Sequence, residues 1–255
     1  DTLGGLTDEV MKVQIRKAIE EHFQKEKSLK DKGIKVLSLF FIDRVANYRG
    51  YDEQGNQTKG KYALWFEDYY KEIAGQDKYK GLTPFNVEEV HNGYFSEDKK
   101  GKWIDTKGNS QADDHTFQLI MRHKEKLLLI NEPLRFIFSH SALREGWDNP
   151  NVFQICTLNE THSDLKKRQE IGRGMRLAVN QEGIRIQDPK INRLTIVANQ
   201  AYDEFAKQLQ REIQEDCGVS FKGRIKNKQD RVRLKYRKGF ELDEKGRYVR
   251  QFETM

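Results

Sequence analysis

The chain has 255 residues, 36% hydrophobic and 34% charged, with a mean hydropathy of −0.88 and a net charge of +6. This length can bury a full core, as one large domain or as one domain with an appendage. No apolar run approaches the ~20 residues of a membrane span and no secretory signal opens the chain, so no membrane association is expected. The two cysteines, Cys156 and Cys217, are interpreted as reduced thiols of a cytoplasmic protein.

The apolar pattern predicts helices alternating with strands. The chain opens on Asp1 rather than Met, so we expect an excised fragment. A helix is predicted from Asp8 to about Lys30, with Thr7 as its N-cap, and a strand over 34–42 follows directly. Further predicted elements are a helix over 62–73, a strand over 87–95, an exposed loop or hairpin over 96–114, a helix over 117–130, strands over 134–138, 152–158 and 194–198, a helix through Arg173 and a helix over 202–216. This alternation predicts a parallel α/β sheet flanked by helices.

A polar loop separates two apolar runs, 134–138 and 152–158, that have buried-strand character. We expect this loop beyond the carboxyl end of the first strand, where open α/β sheets bind ligands. Asp148 lies between Gly146 and Pro150, on a stretch that cannot continue as a helix. A carboxylate held there can accept a hydrogen bond from a ribose hydroxyl, although a capping Asp in a plain turn fits the same pattern.

Residues 169–176, Gln-Glu-Ile-Gly-Arg-Gly-Met-Arg, carry two arginines three positions apart. Arg173 and Arg176 are predicted to share one helical face, and Gly172 lets another surface approach closely. Two guanidinium groups aimed in one direction suit a phosphate chain, because each offers planar, permanently charged donors. On a plain basic helix the same spacing would be only a solvated face, so the prediction depends on Gln169, Gly172 and the upstream loop.

The end of the chain is strongly basic. Residues 222–255 hold twelve Lys or Arg against five Asp or Glu, a net of +7, so the residues before them sum to about −1. Positive side chains alternate strictly over 231–237, and a strand there would present one cationic face, with Arg231, Arg233 and Lys235 on it. Such a ribbon could contact a nucleic-acid backbone, or it could be a solvated connector to a following domain.

These motifs together resemble those of superfamily 2 helicases and translocases. Residues 143–150 (LREGWDNP) and 169–176 (QEIGRGMR) are similar to motifs V and VI, and the strand over 34–42 looks like motif IV. The sequence resembles the Res subunit of type III restriction enzymes still more closely. This resemblance is carried by residues 40–49 (FFIDRVANYR), 90–96 (VHNGYFS) and 138–151 (FSHSALREGWDNPN). The resemblance runs from about residue 7 to about residue 230.

The resemblance implies a RecA-like fold of the P-loop NTPase type, as the second motor lobe without its own P-loop. We expect the lobe to span 1–220, with an insertion at 50–85, and a small basic β-rich extension at 221–255. The sequence has no Gly-x-x-x-x-Gly-Lys-Ser/Thr loop and no Asp-Glu pair suited to Mg²⁺. ATP and Mg²⁺ are therefore expected to be bound mainly by the first RecA-like lobe of the same protein.

Site residues follow from the same resemblance. Arg176 is expected to be the arginine finger on the γ-phosphate, with Arg173 beside it as the second catalytic arginine. The resemblance implies that Asp148 and Gly146 bind the ribose, while Gln169 orients the finger or water and Gly172 completes the nucleotide site.

Nucleic-acid contacts are expected next to motif V and in the basic tail. Ser141 and its neighbouring amides would contact a DNA phosphate, and His140 is a second candidate, although both residue types often satisfy their own turns. Arg231, Arg233 and Lys235 would extend this contact. The implied partners are double-stranded DNA and the methyltransferase (Mod) subunit, in an ATP-dependent endonuclease whose nuclease and first lobe are not evident in this sequence.

No metal site is predicted, because none of the six histidines has metal-ligand spacing. The carboxylates of 67–68 and 113–114 are interpreted as surface or capping groups. Two other functions fit the residues: a motor lobe of another superfamily 2 DNA helicase, such as an excision-repair helicase, and a non-enzymatic basic DNA-binding module.

Overall fold

The computed structural model describes residues 7–95, 125–140, 148–159, 164–198, 200–218, 235–242 and 248–254. The helices are α1 (Asp8–Leu29), α2 (Lys61–Ala74), α3 (Val87–Val90), α4 (Asp164–Gly172) and α5 (Gln200–Cys217). The strands are β1 (Leu37–Ile42), β2 (Arg49–Tyr51), β3 (Gln57–Lys59), β4 (His91–Tyr94), β5 (Phe136–Ser139), β6 (Val152–Leu158), β7 (Thr195–Val197), β8 (Lys235–Leu242) and β9 (Tyr248–Thr254). The chain divides into two units, Asp1–Leu209 and Gln210–Met255.

A five-stranded sheet forms the centre of the first unit. Its strand order is β4-β5-β1-β6-β7, and every neighbouring pair is parallel. Strand β1 is central: Phe40 lies opposite Phe138 on one side and Cys156 on the other. All six residues of β1 are buried, as expected for a parallel strand covered on both faces. The predicted parallel α/β sheet flanked by helices is confirmed.

Helix α1 follows the prediction closely. The side chain of Thr7 accepts a hydrogen bond from the Val10 N–H at 3.4 Å, so it caps the helix as predicted. A short 3₁₀ turn continues from the helix to Gly33, whose positive φ of 61° ends it. The buried face of α1, which includes Ile15, Ile19 and Phe23, packs against the sheet and against α2.

Each face of the sheet has its own apolar core. On one face, Phe40, Phe136 and Phe138 pack with α1 and with Phe66 of α2. Phe40 and Phe138 stack with ring centroids 4.5 Å apart. The other face is built from Leu37, Leu39, Phe41, Ile137, Val152 and Ile155, together with Leu127 and Leu134. Alternation along β1 therefore serves both cores, because successive side chains point to opposite faces.

Parts of residues 50–85, the predicted insertion, pack in the main core, whereas residues 52–59 are exposed. The strands β2 and β3 form an antiparallel hairpin, and α2 buries Tyr62, Phe66 and Ile73 in the core of the first unit. Glu67 on α2 corrects our interpretation of 67–68 as surface or capping groups, since it is only 6% exposed. Its carboxylate lies 2.7 Å from Lys59 Nζ and 3.3 Å from His91 Nε2.

His91, the first residue of the edge strand β4, contacts both Tyr48, which precedes β2, and Glu67 of α2. Its Nδ1 lies 2.7 Å from the Tyr48 hydroxyl, while its Nε2 faces Glu67. Burial lowers the pKa of His91 to about 4, although the neighbouring Glu67 opposes the shift. The imidazole is therefore neutral near pH 7 and acts as a buried hydrogen-bonding link.

A second buried polar network lies at the amino end of the sheet. Arg135, 3% exposed, donates from Nε to Glu26 at 2.7 Å and from Nη1 and Nη2 to the carbonyls of residues 130, 132 and 133. His22 lies between Glu26 at 3.2 Å and the Ser38 hydroxyl at 2.8 Å. Lys35 Nζ donates to the Glu132 carbonyl at 2.6 Å, and burial lowers its pKa to about 7.

Two predicted elements differ from the structure. The expected strand over 87–95 begins as the short helix α3, because the Asn86 and Glu89 side chains form a capping box, and only His91–Tyr94 pairs with β5. The predicted helix over 117–130 lies mostly outside the described residues, and its described end is a 3₁₀ turn at Lys126–Leu128. The predicted loop over 96–114 also lies outside them.

The described part of the second unit includes an antiparallel hairpin of β8 and β9, with a register shift between Arg237 and Gly239. The predicted cationic strand over 231–237 is therefore described only from Lys235 onward. The proposed boundary at residue 220 stays a prediction. Among the described helices, none has both the length and the apolar character that crossing a bilayer requires.

Candidate functional site: a groove beside Asp148 and Arg176

The two ends of the predicted motif V loop lie at opposite edges of the sheet. Strand β5 ends at Ser139, so the half-buried His140 follows its carboxyl end. Asp148 instead precedes β6, and the Asn151 carbonyl accepts a hydrogen bond from Leu37 N at the start of β1. Residues 37 and 41 of β1 mark these two edges, about 13 Å apart at about 3.3 Å per residue.

This arrangement corrects the expected position of Asp148. We predicted the whole loop beyond the carboxyl end of a strand. Of the described loop residues, His140 lies there, whereas Asp148 lies at the amino edge, because β6 is parallel to β1 and must start at the same edge. Ser141 and Gly146 belong to 141–147, outside the described residues.

The two motif VI arginines do not share a helical face, contrary to prediction. Helix α4 ends at Gly172, and the backbone continues in turns, with Gly174 N bonded to the Ile171 carbonyl at 3.0 Å. A Cβ at Gly174 would overlap the Leu194 side chain, so the chain passes close to β7 here. Arg173 is consequently buried at 6% exposure, whereas Arg176 is exposed.

The remaining predicted nucleotide residues lie on or beside α4. Gln169 is exposed on the helix. Apart from its chain neighbours and the backbone of its own helix, no described atom lies within 4 Å of a Cβ built on Gly172, so another surface can approach there. The Gly172 carbonyl also accepts a hydrogen bond from Arg176 Nη1 at 3.4 Å, which holds the guanidinium near the helix end.

Asp148 and Arg176 line one open groove of about 270 Å³. The other described lining residues are Glu125, Leu128, Pro150 and Arg185. The described lining therefore combines two guanidinium groups with two carboxylates and a partly apolar wall. Such a set of groups fits a phosphate chain and a sugar hydroxyl, since arginines donate to oxyanions and carboxylates accept from hydroxyls.

Asn151 connects the two segments that form this groove. Its side chain is fully buried, and its Nδ2 donates to the Val179 carbonyl at 2.8 Å while its Oδ1 accepts from the Val179 N–H at 2.8 Å. The amide thus imitates a strand pairing between the segment before β6 and the segment that follows Arg176. Asn149 Oδ1 accepts from Asn151 N at 3.1 Å and supports the same turn.

Sequence reasoning identified Asp148 and Arg176 but missed Asn151 and Arg185. A signal was present: Asn180 and Gly183 have turn character, and they precede an apolar–basic–apolar alternation at 184–186. This pattern predicts a hairpin, with Arg185 on one face. Nothing local indicates that Asn151 pairs with residue 179, because that contact spans 28 positions.

The predicted nucleic-acid residues are only partly described. His140 is located as above, and Lys235 is the first residue of β8, where only the backbone is described. Arg231 and Arg233 lie outside the described residues. Within the described ranges, no three His, Cys, Asp or Glu side chains are grouped to hold a metal ion. The described groove residues are thus chemically suited to phosphate and hydroxyl groups, and none of them belongs to a cluster of Mg²⁺ ligands.

Comparison with known proteins gives a consistent result. The chain is 42% identical over 189 residues to the EcoP15I Res subunit of Escherichia coli and 41% identical over 186 residues to the EcoPI Res subunit of Escherichia phage P1, each match covering 68% of the chain. It is 35% identical over 238 residues, 80% of the chain, to the StyLTI Res subunit of Salmonella typhimurium strain LT2. No protein-family model matches the chain.

The matches cover 18%, 18% and 23% of the lengths of these relatives, so the chain spans about a fifth of each. All three are named as Res subunits of type III restriction-modification enzymes. The chain is therefore homologous to one region of the Res subunits of type III restriction-modification enzymes.

Proposed function

We propose that this chain is the second RecA-like motor lobe of a type III restriction enzyme, supplying motifs IV, V and VI for ATP hydrolysis coupled to movement along DNA. The observation that carries the proposal is the shared groove of Asp148 and Arg176. These residues come from segments 28 positions apart, and both match the family motifs. The identities to Res subunits favour this function over an excision-repair helicase or a DNA-binding module without enzymatic activity.

In the proposed mechanism, Arg176 approaches the γ-phosphate of ATP held by the first lobe. Its exposed guanidinium meets the charge that accumulates on the transferring phosphoryl group, and a preplaced cation lowers the barrier because it needs no reorganisation. Asp148, with Gly146, accepts hydrogen bonds from the ribose hydroxyls. Gln169 and Gly172 complete the nucleotide site from α4.

Arg173 takes a supporting role in this proposal. It is buried beside the turn that follows α4, so a direct contact with a phosphate would require that turn to open. We propose that it holds the turn from which Arg176 projects. Mg²⁺, bound mainly by the first lobe, would supply charge neutralisation between the β- and γ-phosphates.

DNA is proposed to bind at the carboxyl edge of the sheet, next to His140 and Ser141. This edge lies across the sheet from Asp148, so nucleotide and DNA would act on opposite ends of one loop. We propose that closure on the nucleotide is coupled in this way to movement along the duplex. The Mod subunit would supply the recognition sequence, as the proposed partner in the complete enzyme.

By itself, the 255-residue chain is expected to hydrolyse no ATP. It lacks a P-loop in its sequence, and the groove offers no set of Mg²⁺ ligands among the described residues. The measurement is phosphate release from MgATP with and without duplex DNA, with a complete Res subunit carrying this sequence as the positive control. Hydrolysis by the pure chain that disappears in Arg176→Ala would overturn the proposed division of labour.

Reversing three charges of the tail is expected to weaken DNA binding. With Arg231, Arg233 and Lys235 changed to Glu, the logarithmic salt dependence of the affinity should become shallower by up to about three, since each lost phosphate contact removes about 0.9 from the slope. The measurement is fluorescence anisotropy of labelled duplex DNA across a series of salt concentrations.

The control for this experiment reverses three exposed lysines of the first unit: Lys32, Lys80 and Lys190. It changes the net charge by the same amount. If both triple variants bind DNA with the same reduced slope, only overall charge matters; if the tail variant keeps the wild-type slope, the tail is a connector.

A further inference from the structure

A short hairpin begins three residues after Arg176. Val179 and Arg185 form an antiparallel bridge, and Ile186 N donates to the Ala178 carbonyl at 2.8 Å. Gly183 turns the chain with a φ of 79°, a conformation that favours glycine. The Asn180 side-chain oxygen accepts from the backbone N–H groups of residues 182 and 184 at 3.1 and 2.9 Å, so the turn is internally hydrogen-bonded.

This hairpin is also anchored to both sides of the groove. Asn151 pairs with Val179 through its two amide bonds, which places the hairpin against the Asp148 segment. At the turn, Gln181 donates from Nε2 to the Leu128 carbonyl at 2.8 Å and accepts from Ile130 N at 3.0 Å. Because Leu128 and Asp148 both line the groove, these anchors fix the hairpin relative to its walls.

Arg185 is exposed and lines the groove together with Arg176. Among the described residues, no carboxylate lies within ion-pairing distance of either guanidinium. Both guanidinium groups line the same groove, and neither is paired with a carboxylate among the described residues. An anion bound between them would therefore be stabilised by their positive charge. A polyphosphate chain is such an anion, because its several oxygens can accept hydrogen bonds from more than one guanidinium.

We propose that Arg185 is a second phosphate-binding residue of the nucleotide groove. It contacts the polyphosphate of the bound nucleoside triphosphate beside Arg176, and this assignment rests on the proposed motor function. Arg185 lies on the hydrogen-bonded hairpin, whereas Arg176 lies in the turn that follows α4. We therefore assign to Arg185 a contact with the nucleotide that is made in the ground state as well as in the transition state. A DNA phosphate is the other source of such an anion, but His140, the described residue among the DNA contacts proposed for the first unit, follows the opposite edge of the sheet, at the end of β5.

The test uses a complete Res subunit that carries this sequence, assembled with its Mod subunit. For Arg185→Ala, KM for ATP should rise about tenfold while kcat stays within about twofold of wild type, because loss of one charge-assisted hydrogen bond costs about a factor of ten or more in binding. Arg185→Lys, which keeps the charge but loses the fork, should fall between wild type and Arg185→Ala.

Three comparisons make the result decisive. Arg193→Ala removes an exposed arginine of the same segment outside the groove and should leave KM unchanged. Arg176→Ala reports on the motor function itself. If Arg176→Ala abolishes turnover while Arg185→Ala behaves like Arg193→Ala, the motor proposal stands and the role of Arg185 is refuted.

DNA affinity separates the two phosphate sources. Arg185→Ala should bind duplex DNA as wild type does in the absence of nucleotide. Weakened DNA binding with an unchanged KM for ATP would overturn the nucleotide assignment. If Arg176→Ala itself keeps wild-type turnover, the groove is not a nucleotide site, and the assignment of Arg185 falls together with the proposed function.

Discussion

Replacing Arg176 by alanine in a complete Res subunit should lower the DNA-stimulated ATPase rate by a factor on the order of 10³–10⁵, the range known for arginine fingers. The guanidinium is exposed in the groove that Asp148 also lines, and among the described residues its hydrogen-bond acceptor is the Gly172 carbonyl at 3.4 Å, so it is available to a phosphate. Its removal leaves the charge on the transferring phosphoryl group without its preplaced cation.

Nucleotide binding should survive this change. The first lobe is proposed to hold most of the ATP, so the dissociation constant of a fluorescent ATP analogue should change far less than kcat. Arg193→Ala is the matched control, since it also removes an exposed arginine side chain, but one that lies outside the groove. Wild-type turnover in Arg176→Ala would refute the finger role, and a selective loss of nucleotide binding would make Arg176 a binding residue.

A second large effect is expected at Glu26. Changing Glu26 to Gln in the 255-residue chain should lower the free energy of unfolding by about 3–5 kcal/mol at neutral pH, the cost of breaking a buried ion pair by removing one partner. Arg135 would keep its charge at 3% exposure, with the positive end of Lys35 nearby. Chemical denaturation followed by circular dichroism measures the difference.

The pH dependence follows from the shifted carboxylate. Burial alone would raise the pKa of Glu26, but the His22 hydrogen bond and the Arg135 charge outweigh it and lower the pKa from 4.5 to about 2. A lowered pKa means that the ionised carboxylate stabilises the fold above about pH 4.5, and that this contribution is lost as the pH falls towards 2. The difference in unfolding free energy between wild type and Glu26→Gln should therefore decrease as the pH falls from about 4.5 towards 2.

An exposed ion pair serves as the comparison. Glu72 binds Arg16 through two short contacts but is half exposed, so Glu72→Gln should change the unfolding free energy by at most about 1 kcal/mol. Two outcomes would contradict this prediction. One is an equal loss of unfolding free energy in Glu26→Gln and Glu72→Gln. The other is a difference between wild type and Glu26→Gln that stays constant from pH 5 to pH 2.

The sequence was sufficient for the elements whose signals are local. Thr7 ahead of a helical pattern predicted the cap of α1, and the apolar runs predicted the buried strands β1, β5 and β6. Alternation of helices and strands then predicted the parallel sheet. The signals for β4 were less clear, since the capping box of Asn86 and Glu89 overrode β-forming residues over the first turn.

The amino-acid order by itself determined the candidate residues, namely an aspartate before a strand and arginines at motif spacing, because such motifs are short and their chemistry is local. Only the tertiary structure decided which of them reach the groove. The parallel course of β1 and β6 carried Asp148 to the amino edge, and the close packing of Gly174 on Leu194 buried Arg173 while leaving Arg176 exposed. Arg185 joined them through contacts of Asn151 across 28 positions, and a pairing over that distance is set by packing rather than by any neighbouring residue.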